Sequence, residues 1–223
     1  MQEPSEPRAF ADDRVRAERA LQIWNEPVRA INELMREISS DVDSPNLPYN
    51  DPMFGGVEAE LLIVMKAPEA DAAPDKTGTR FLCFDNADAG AANIFEAFRR
   101  NDIARSRCIA WNICPFPIQG NSPTASELRQ ARPYTQKLID LLPRLKVVLL
   151  LGRPAADGWD RSLLRGRAGI SVLTGASPSP PGISSPRNRE SFESAIREAA
   201  TILESKPVVN GPWGHHGGAA TLA

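Results

Sequence analysis

The stretch that decides the fold runs from residue 106 to residue 121 and reads SRCIAWNICPFPIQGN. Its first half, residues 108–113, is an apolar run of strand length that ends at a Pro-rich turn. An apolar strand of this kind is typical of a parallel sheet that is covered on both faces. Asn112 lies at the end of this strand, where an unpaired buried amide would cost about 1–3 kcal/mol. We therefore expect Asn112 either to cap the turn or to bind a ligand that carries both a donor and an acceptor.

Composition limits the class of protein. The chain has 223 residues and a net charge of −2, which suits one α/β domain and gives no overall basic field. Any contact with DNA must therefore come from a local basic patch. Cys83, Cys108 and Cys114 have no CxxC spacing, which argues against a disulfide framework, a metal site and an iron–sulfur cluster. Both histidines, His215 and His216, lie in a Gly-rich tail, so a catalytic histidine is not expected.

The limits of the domain follow from sequence bias. Residues 1–10 predict a disordered N-terminus, residues 11–205 a single domain, and residues 206–223 a flexible tail. No positively charged segment precedes an apolar run, and no stretch is long enough to span a bilayer. We therefore expect a soluble cytoplasmic protein that has no membrane partner.

Hydrophobic periodicity predicts alternating strands and helices. A helical pattern over residues 12–40 is interrupted by Pro27, which should kink it or start a second helix. Residues 41–56 and 81–88 are expected to be loops. The predicted strands are 61–65, 108–113, 147–151 and 169–173, and the other predicted helices are 90–100, 124–142, 154–164 and 189–204. The expected fold is a three-layer α/β/α domain with a central, mostly parallel four-stranded sheet.

In such sheets, ligands bind beyond the carboxyl ends of the strands. Five segments at or near these ends resemble, in order, the motifs of the uracil-DNA glycosylase superfamily. The first is MKAPE at 65–69, similar to a GxAPG motif, and the second is TGTRF at 77–81 with FDNAD at 84–88, similar to a stacking loop and an acidic turn. The third is WNICPF at 111–116, similar to the WNxxPW run of one bacterial branch. The fourth is LPRLKVVLLLGR at 142–153, and the last is SPSP at 177–180, in the place of a His-Pro-Ser-Pro motif. Because cluster cysteines are absent, the resemblance points to a bacterial branch without an iron–sulfur cluster.

The resemblance implies a DNA repair glycosylase that hydrolyses the N-glycosidic bond of uracil, or of a related deaminated base, flipped out of DNA. It also implies a monomer that needs no metal and no cofactor. Asn112 would accept from the ring N–H of uracil and donate to the adjacent carbonyl, whereas cytosine presents the opposite polarity. Phe81 would stack on the base, a contact worth about 1–3 kcal/mol; the alternative is an ordinary core phenylalanine. Ala67 and Pro68 would line the same pocket.

The catalytic assignments also rest on the resemblance. Asp85 is the predicted water-directing carboxylate, and the loop residues Asp71 and Asp75 are the alternatives. Ser177 stands where most active branches have a histidine, and a neutral hydroxyl is a weaker donor to the leaving base. Loss of such a donor typically costs about 10²–10³ in rate. The expected protein is therefore a slow glycosylase or, alternatively, a weak or inactive relative that binds DNA or a modified base.

The predicted DNA surface surrounds the last loop. Its residues are Lys66, Arg153, Ser179, Arg187 and Arg189, with Arg80, Arg99, Arg100, Ser184, Ser185 and Asn188 as further candidates. Ile183 or the step at residues 180–181 could be the apolar wedge that replaces the flipped base. Two departures from the family pattern are Lys66, where the iron–sulfur branch has a glutamate, and Glu69, which replaces a small residue. A doubly wound α/β protein that binds a small nucleotide, or serves as a scaffold, would instead lack a basic groove beside this loop.

Overall fold

The computed structural model describes residues 4–45, 47–68 and 81–205. Two parallel sheets are found in these residues. The strands are β1 (Tyr49–Asn50), β2 (Leu61–Met65), β3 (Phe81–Leu82), β4 (Cys108–Asn112), β5 (Val147–Leu151) and β6 (Ser171–Gly175). The main sheet has the order β4-β2-β5-β6, and all its neighbouring strands are parallel. The small sheet pairs β1 with β3.

Helices flank the main sheet. They are α1 (Asp13–Ala20), α2 (Arg29–Asp41), α3 (Ala89–Arg100), α4 (Ala125–Asp140), α5 (Arg153–Gly158) and α6 (Pro186–Glu204). Helix α3 packs beside α6, and α2 packs beside α4. The mixed α/β architecture with a four-stranded parallel sheet confirms the predicted fold class. Among the described residues, no helix is both long and apolar enough to cross a membrane.

Local sequence explains where these elements begin. Helix α2 starts just after Pro27, so the predicted interruption produces two helices rather than one kinked helix. Helix α4 begins with a capping box, in which Thr124 accepts from the backbone N–H of Glu127 at 3.2 Å and the Glu127 carboxylate accepts from the backbone N–H of Thr124 at 2.7 Å. Strands β2, β4 and β5 are apolar and almost wholly buried, as expected for a sheet covered on both faces.

Several details differ from the sequence prediction. The expected loops contain β1 and β3, whose two residues each are too few to give a periodic signal. Strand β6 begins at Ser171, two residues later than predicted, because Gly169 adopts a positive φ of 81° in the preceding turn. The predicted helix 154–164 is divided into α5 and a 3₁₀ turn, Arg161–Leu164. Phe10, at the end of the segment expected to be disordered, is fully buried.

Candidate active site at the carboxyl edge of the sheet

The topology of the main sheet creates a crevice at its carboxyl edge. After β2 the chain forms β4 on one side and then returns to form β5 on the other side. Ligands of open parallel sheets bind where the winding direction reverses, which is here between the ends of β2 and β5. Lys66 directly follows β2 and is exposed, whereas Ala67 and Pro68 are half-buried. Three of the predicted site residues therefore lie at the reversal point.

Asn112 ends β4 beside β2. It pairs with Met65 in the parallel register and is only 3% exposed. The backbone N–H groups of the next two residues donate to Met65 and Lys66, at 2.8 Å and 3.1 Å, which ties the two strand ends together. No hydrogen bond joins the Asn112 side-chain amide to another described residue, and its polar atoms are not among the fully buried ones that lack a partner, which belong to Asn50 and Trp159. The amide can therefore pair with water or with a ligand.

The predicted cap role of Asn112 is therefore not what the geometry favours. The Pro-rich turn behind β4 is held by backbone hydrogen bonds to the end of β2 rather than by the Asn112 side chain. Strand alternation places Asn112 on the opposite face from Trp111, whose indole N–H donates to Thr135 of α4 at 3.2 Å. The amide consequently points away from α4.

Ser177 lies over the end of β5. Gly152 follows β5 with a positive φ of 92°, and a Cβ placed on it would lie 3.3 Å from the Cβ of Ser177. A Cβ on Gly182 would come even closer to Ser177, at 2.8 Å. The two glycines therefore allow the Ser177 loop to fold closely over the sheet edge. The Ser177 hydroxyl accepts one contact, from the backbone N–H of Ser179 at 3.3 Å.

The Ser177 loop is also attached to the start of α3. The Asn93 side chain donates to the carbonyl of Pro178 at 2.8 Å. A Cβ on Gly90 would lie 2.2 Å from the Ser179 hydroxyl oxygen, so a larger residue would require this hydroxyl to rotate away. Asn112 ends β4 and Gly152 follows β5, and β2 lies between these two strands, so the two strand ends are two interstrand spacings, or about 10 Å, apart.

Phe81 occupies a separate, smaller apolar cluster. The residue is 7% exposed, and its ring packs against Phe10 with the centroids 5.2 Å apart. Cys83 completes this cluster, whereas the residues flanking Asn112 belong to the main core. The proposed pairing of Phe81 and Asn112 around one base therefore remains a prediction.

Asp85 lies in a buried group of four charged side chains, which we call the charged cluster: Arg19, Asp51, Asp85 and Arg105. None of the four is more than 4% exposed. Arg105 donates to both oxygens of Asp85 at 2.7 Å, and Arg19 donates to Asp85 at 3.1 Å and to both oxygens of Asp51 at 2.6 Å.

This environment does not support the predicted catalytic role of Asp85. The carboxylate is fully buried, and both its oxygens already accept from guanidinium groups. Arg105 lies in the 3₁₀ turn Arg105–Arg107, which leads into the amino end of β4, whereas Asn112 ends that strand. The geometry therefore indicates a structural role for this carboxylate. No local sequence pattern indicates these partners, because Arg19 and Arg105 are 66 and 20 residues away from Asp85.

Cys83 lies beside the charged cluster. Its thiol donates a hydrogen bond to the Asp51 carboxylate, and its sulfur accepts one from the backbone N–H of Asp85 at 3.2 Å. Burial raises the pKa of the Cys83 thiol well above its usual value, and the charges of Asp51 and Asp85 raise this pKa further. Potential ligand atoms of Asp51, Cys83 and Asp85 lie within 4.8 Å of one another. However, the arginines already neutralise both carboxylates, so the cluster needs no metal ion for its charge.

The predicted DNA contacts are distributed along the same edge. Ser179, Arg187 and Arg189 are exposed in the last loop and the first turn of α6. Arg153 is exposed and pairs with Asp157 at 3.1 Å. The further candidates Arg99 and Arg100 lie at the opposite end of α3 from Gly90 and pair with glutamates.

Ile183 is 3% exposed and packs in the main core, which makes it unsuitable as a wedge. Residues 180 and 181 are exposed and remain candidates for that role. Several predicted features lie outside the described residues: Glu69, Asp71, Asp75, Arg80, His215 and His216.

Two clefts in the described part of the chain lie away from these residues. One, of about 320 Å³, has an aromatic floor and is lined by Phe84, Phe95, Phe98, Arg99 and Arg105, among others. The other, of about 190 Å³, lies between β4, α4 and the end of α5. None of the predicted catalytic or base-binding residues lines either cleft. The free amide and the topology, rather than cleft size, therefore identify the candidate site.

The fold and the edge site define a parallel α/β protein with polar side chains in the loops that follow its strands. A family model described as the uracil DNA glycosylase superfamily matches residues 52–200. The chain belongs to this superfamily, as its motifs predicted, and a uracil-DNA glycosylase-like function follows in general terms. A search of curated proteins finds no match.

Proposed function

We propose that this protein removes uracil, or a related deaminated base, from DNA by hydrolysing its N-glycosidic bond. The observation that carries the proposal is Asn112, which ends a strand of a uracil DNA glycosylase superfamily fold and whose side-chain amide has no hydrogen bond to another described residue. An amide that no protein group occupies can exchange water for a ligand edge. Uracil offers the complementary acceptor and donor on adjacent atoms.

The chemistry assigns different tasks to the two sides of the crevice. Breakage of the bond between C1′ and the base nitrogen leaves the electron pair on the base and positive charge on the sugar. A water oxygen then bonds to C1′ and loses a proton, and uptake of a proton by the base anion balances the hydrolysis. Asn112 would hold the base edge, and the Ser177 hydroxyl would donate to the developing anion as a neutral, and therefore weak, donor. A slow reaction is the consequence.

The water-directing group is best sought outside the charged cluster. Both oxygens of Asp85 are occupied by guanidinium groups, so Asp85 would act on the fold rather than on water. The alternative carboxylates that the sequence suggests are Asp71 and Asp75, which lie in the segment between β2 and β3.

DNA would approach along the loops that follow β5 and β6. Arg187 and Arg189 lie in the first turn of α6, where Ser185 caps the helix and the backbone N–H groups favour an anion. Lys66, Arg153 and Ser179 would add contacts to phosphates on the same edge. The exposed residues 180 and 181 would fill the space left by the flipped base.

Oligonucleotides that carry a single uracil test this proposal directly. Labelled single-stranded and duplex substrates are incubated with excess protein and then treated with alkali, so that abasic sites appear as strand breaks. We expect slow cleavage by the unchanged protein and a loss of at least about 10²-fold in Asn112→Ala. Asn121→Ala is the matched control, because Asn121 is exposed in the same segment. Absence of abasic product at high protein concentration and long times would exclude the activity.

Ser177 favours a second candidate function, a relative that binds a damaged base in DNA without turnover. The position lacks the charged donor of the family motif, while the Asn112 amide is retained. A fluorescence-anisotropy comparison of uracil-containing and undamaged DNA distinguishes the two candidates. Selective binding without cleavage supports the second candidate, and equal affinity for both oligonucleotides counts against both.

A further inference from the structure

Residues that precede the matched family region contact the predicted stacking residue Phe81 and its neighbours. The family match begins at residue 52, whereas Phe10, Arg19 and Asp51 precede it. These three residues nevertheless contact residues 81–85, which we call the aromatic segment. It contains Phe81, the predicted stacking residue, and Asp85, and it leads towards α3.

Three contacts join the N-terminus to the aromatic segment. The backbone N–H of Phe10 donates to the carbonyl of Asp85 at 2.9 Å. The ring of Phe10 packs against that of Phe81 with the centroids 5.2 Å apart. The Arg19 guanidinium lies 5.5 Å from the centroid of the Phe10 ring and donates to the Asp85 carboxylate at 3.1 Å. Phe10 and Arg19 therefore contact both ends of the aromatic segment.

Arg19 also determines the charge of the segment's surroundings. Its Nη1 donates to both oxygens of Asp51, and its Nη2 donates to Asp85. The cluster contains two carboxylates and two guanidinium groups, all at most 4% exposed. Without Arg19, two buried carboxylates would face the single guanidinium of Arg105. Buried charges persist only when they are paired, so the segment would have to rearrange or admit water.

We propose that Arg19 and Phe10 are positioning residues of the active site, which fix the aromatic segment so that the Phe81 ring is held where a flipped base can stack on it. The proposal rests on the proposed function for the role of Phe81, but the contacts that it invokes do not. Phe10 supports the ring from one side, and Arg19 keeps the backbone around Asp85 in one conformation. The N-terminal helix is thus a functional part of the domain.

Kinetics separate positioning from a merely structural role. Single-turnover cleavage of the uracil oligonucleotide over a range of protein concentrations gives a half-saturating concentration and a maximal rate. In Phe10→Ala we expect the half-saturating concentration to rise about tenfold, in keeping with the loss of a base-stacking contact. The maximal rate per active molecule should stay within about twofold. If both constants, normalised to the active fraction, are unchanged, the proposal is wrong.

A charge-restoring pair tests Arg19 in the same assay. Arg19→Gln leaves a surplus negative charge, and Asp51→Asn removes it again, so the double variant should recover most of the loss seen in the single one. Arg14→Gln is the control on the same helix, because Arg14 is 91% exposed and pairs only locally with Asp12. If the double variant is as impaired as Arg19→Gln, charge balance is not the means of positioning.

Hydrogen exchange keeps the proposal testable even if the protein does not cleave uracil-containing DNA. Amides of residues 81–85 should exchange at least about tenfold faster in Phe10→Ala and Arg19→Gln, while those of α4 keep their rates. Unchanged exchange in the aromatic segment would refute positioning, whatever the outcome of the cleavage assay. Faster exchange together with an inactive unchanged protein would show that Phe10 and Arg19 hold the segment, and it would reject the proposed function alone.

Discussion

The carboxyl edge of the sheet and the charged cluster are both rich in polar groups, but they use them differently. At the edge, the Asn112 amide has no partner among the described residues, and Ser177 makes a single contact of 3.3 Å. In the cluster, both carboxylates accept from guanidinium groups at 3.1 Å or less. The edge therefore retains hydrogen-bonding capacity for a ligand, whereas the cluster has used its capacity to join distant parts of the chain.

This difference shows why an acidic motif alone is a poor guide to a catalytic residue. Asp85 and Asn112 both lie at motif positions, and both residues are almost completely buried. Only their partners distinguish them. A group that is already paired on every accessible side contributes to stability, whereas a group without a protein partner can bind a ligand.

The largest expected effect is the loss of stability on Asp85→Asn. The change removes one negative charge from a buried cluster that also contains two guanidinium groups, and breaking a buried ion pair typically costs about 3–5 kcal/mol. The free energy of unfolding, measured by urea denaturation, should fall by about that amount. Asp157→Asn is the matched control, because its pair with Arg153 is exposed at 68% and 90% and should contribute less than about 1 kcal/mol.

The same variant can also show whether the charged cluster takes part in the reaction. If Asp85→Asn keeps the unfolding free energy of the unchanged protein but loses glycosylase activity, then Asp85 acts on the reaction and the cluster is part of the catalytic machinery. If stability falls and the activity per folded molecule remains, the structural role holds.

Much of the fold could be read from the sequence because its signals are local. The apolar runs of β2, β4 and β5 occupy nearly their predicted positions, and Pro27 separates α1 from α2 as the steric properties of proline require. Thr124, the first residue of the predicted helix, caps α4. Each of these signals depends on residues within a few positions of one another, so no knowledge of tertiary contacts was needed.

The partners of the site residues could not be read in this way. The ion pairs of Asp85 join it to arginines that are 66 and 20 residues away in the sequence, and no hydrophobic periodicity predicts contacts over such separations. Phe81 lies in the two-residue strand β3 and Phe10 in the three-residue 3₁₀ turn Ala9–Ala11, and both elements are too short to give a periodic signal. Ile183 stands in a polar loop sequence but is buried because the loop folds back on the sheet edge. The order of the motifs predicts the carboxyl edge of the sheet as the site. Only the tertiary structure shows which of the predicted polar side chains are paired with other described residues and which are not.

A variant of Ser177 tests the role of the carboxyl edge of the sheet. Ser177→His supplies a charged donor beside the leaving base, and such donors typically contribute about 10²–10³ in rate. We expect single-turnover cleavage of uracil-containing DNA to accelerate towards that range. Ser184→His is the control, because it adds the same ring at an exposed position of the same loop. Equal rates in the unchanged protein and in Ser177→His would show that Ser177 does not face the leaving base.

The smallest expected effect concerns the exposed arginines at the start of α6. If Arg187 and Arg189 contact phosphates, changing either one to glutamine should weaken binding to all DNA sequences alike and reduce the slope of log affinity against log salt by about 1. Arg197→Gln on the same helix is the control, because Arg197 pairs with Glu190 at 2.6 Å. Arg19→Gln should leave the slope unchanged as well, since its charge is buried and cannot meet a phosphate. A change in slope for Arg197→Gln as large as that for Arg187→Gln would place the DNA along the whole of α6 rather than at the carboxyl edge.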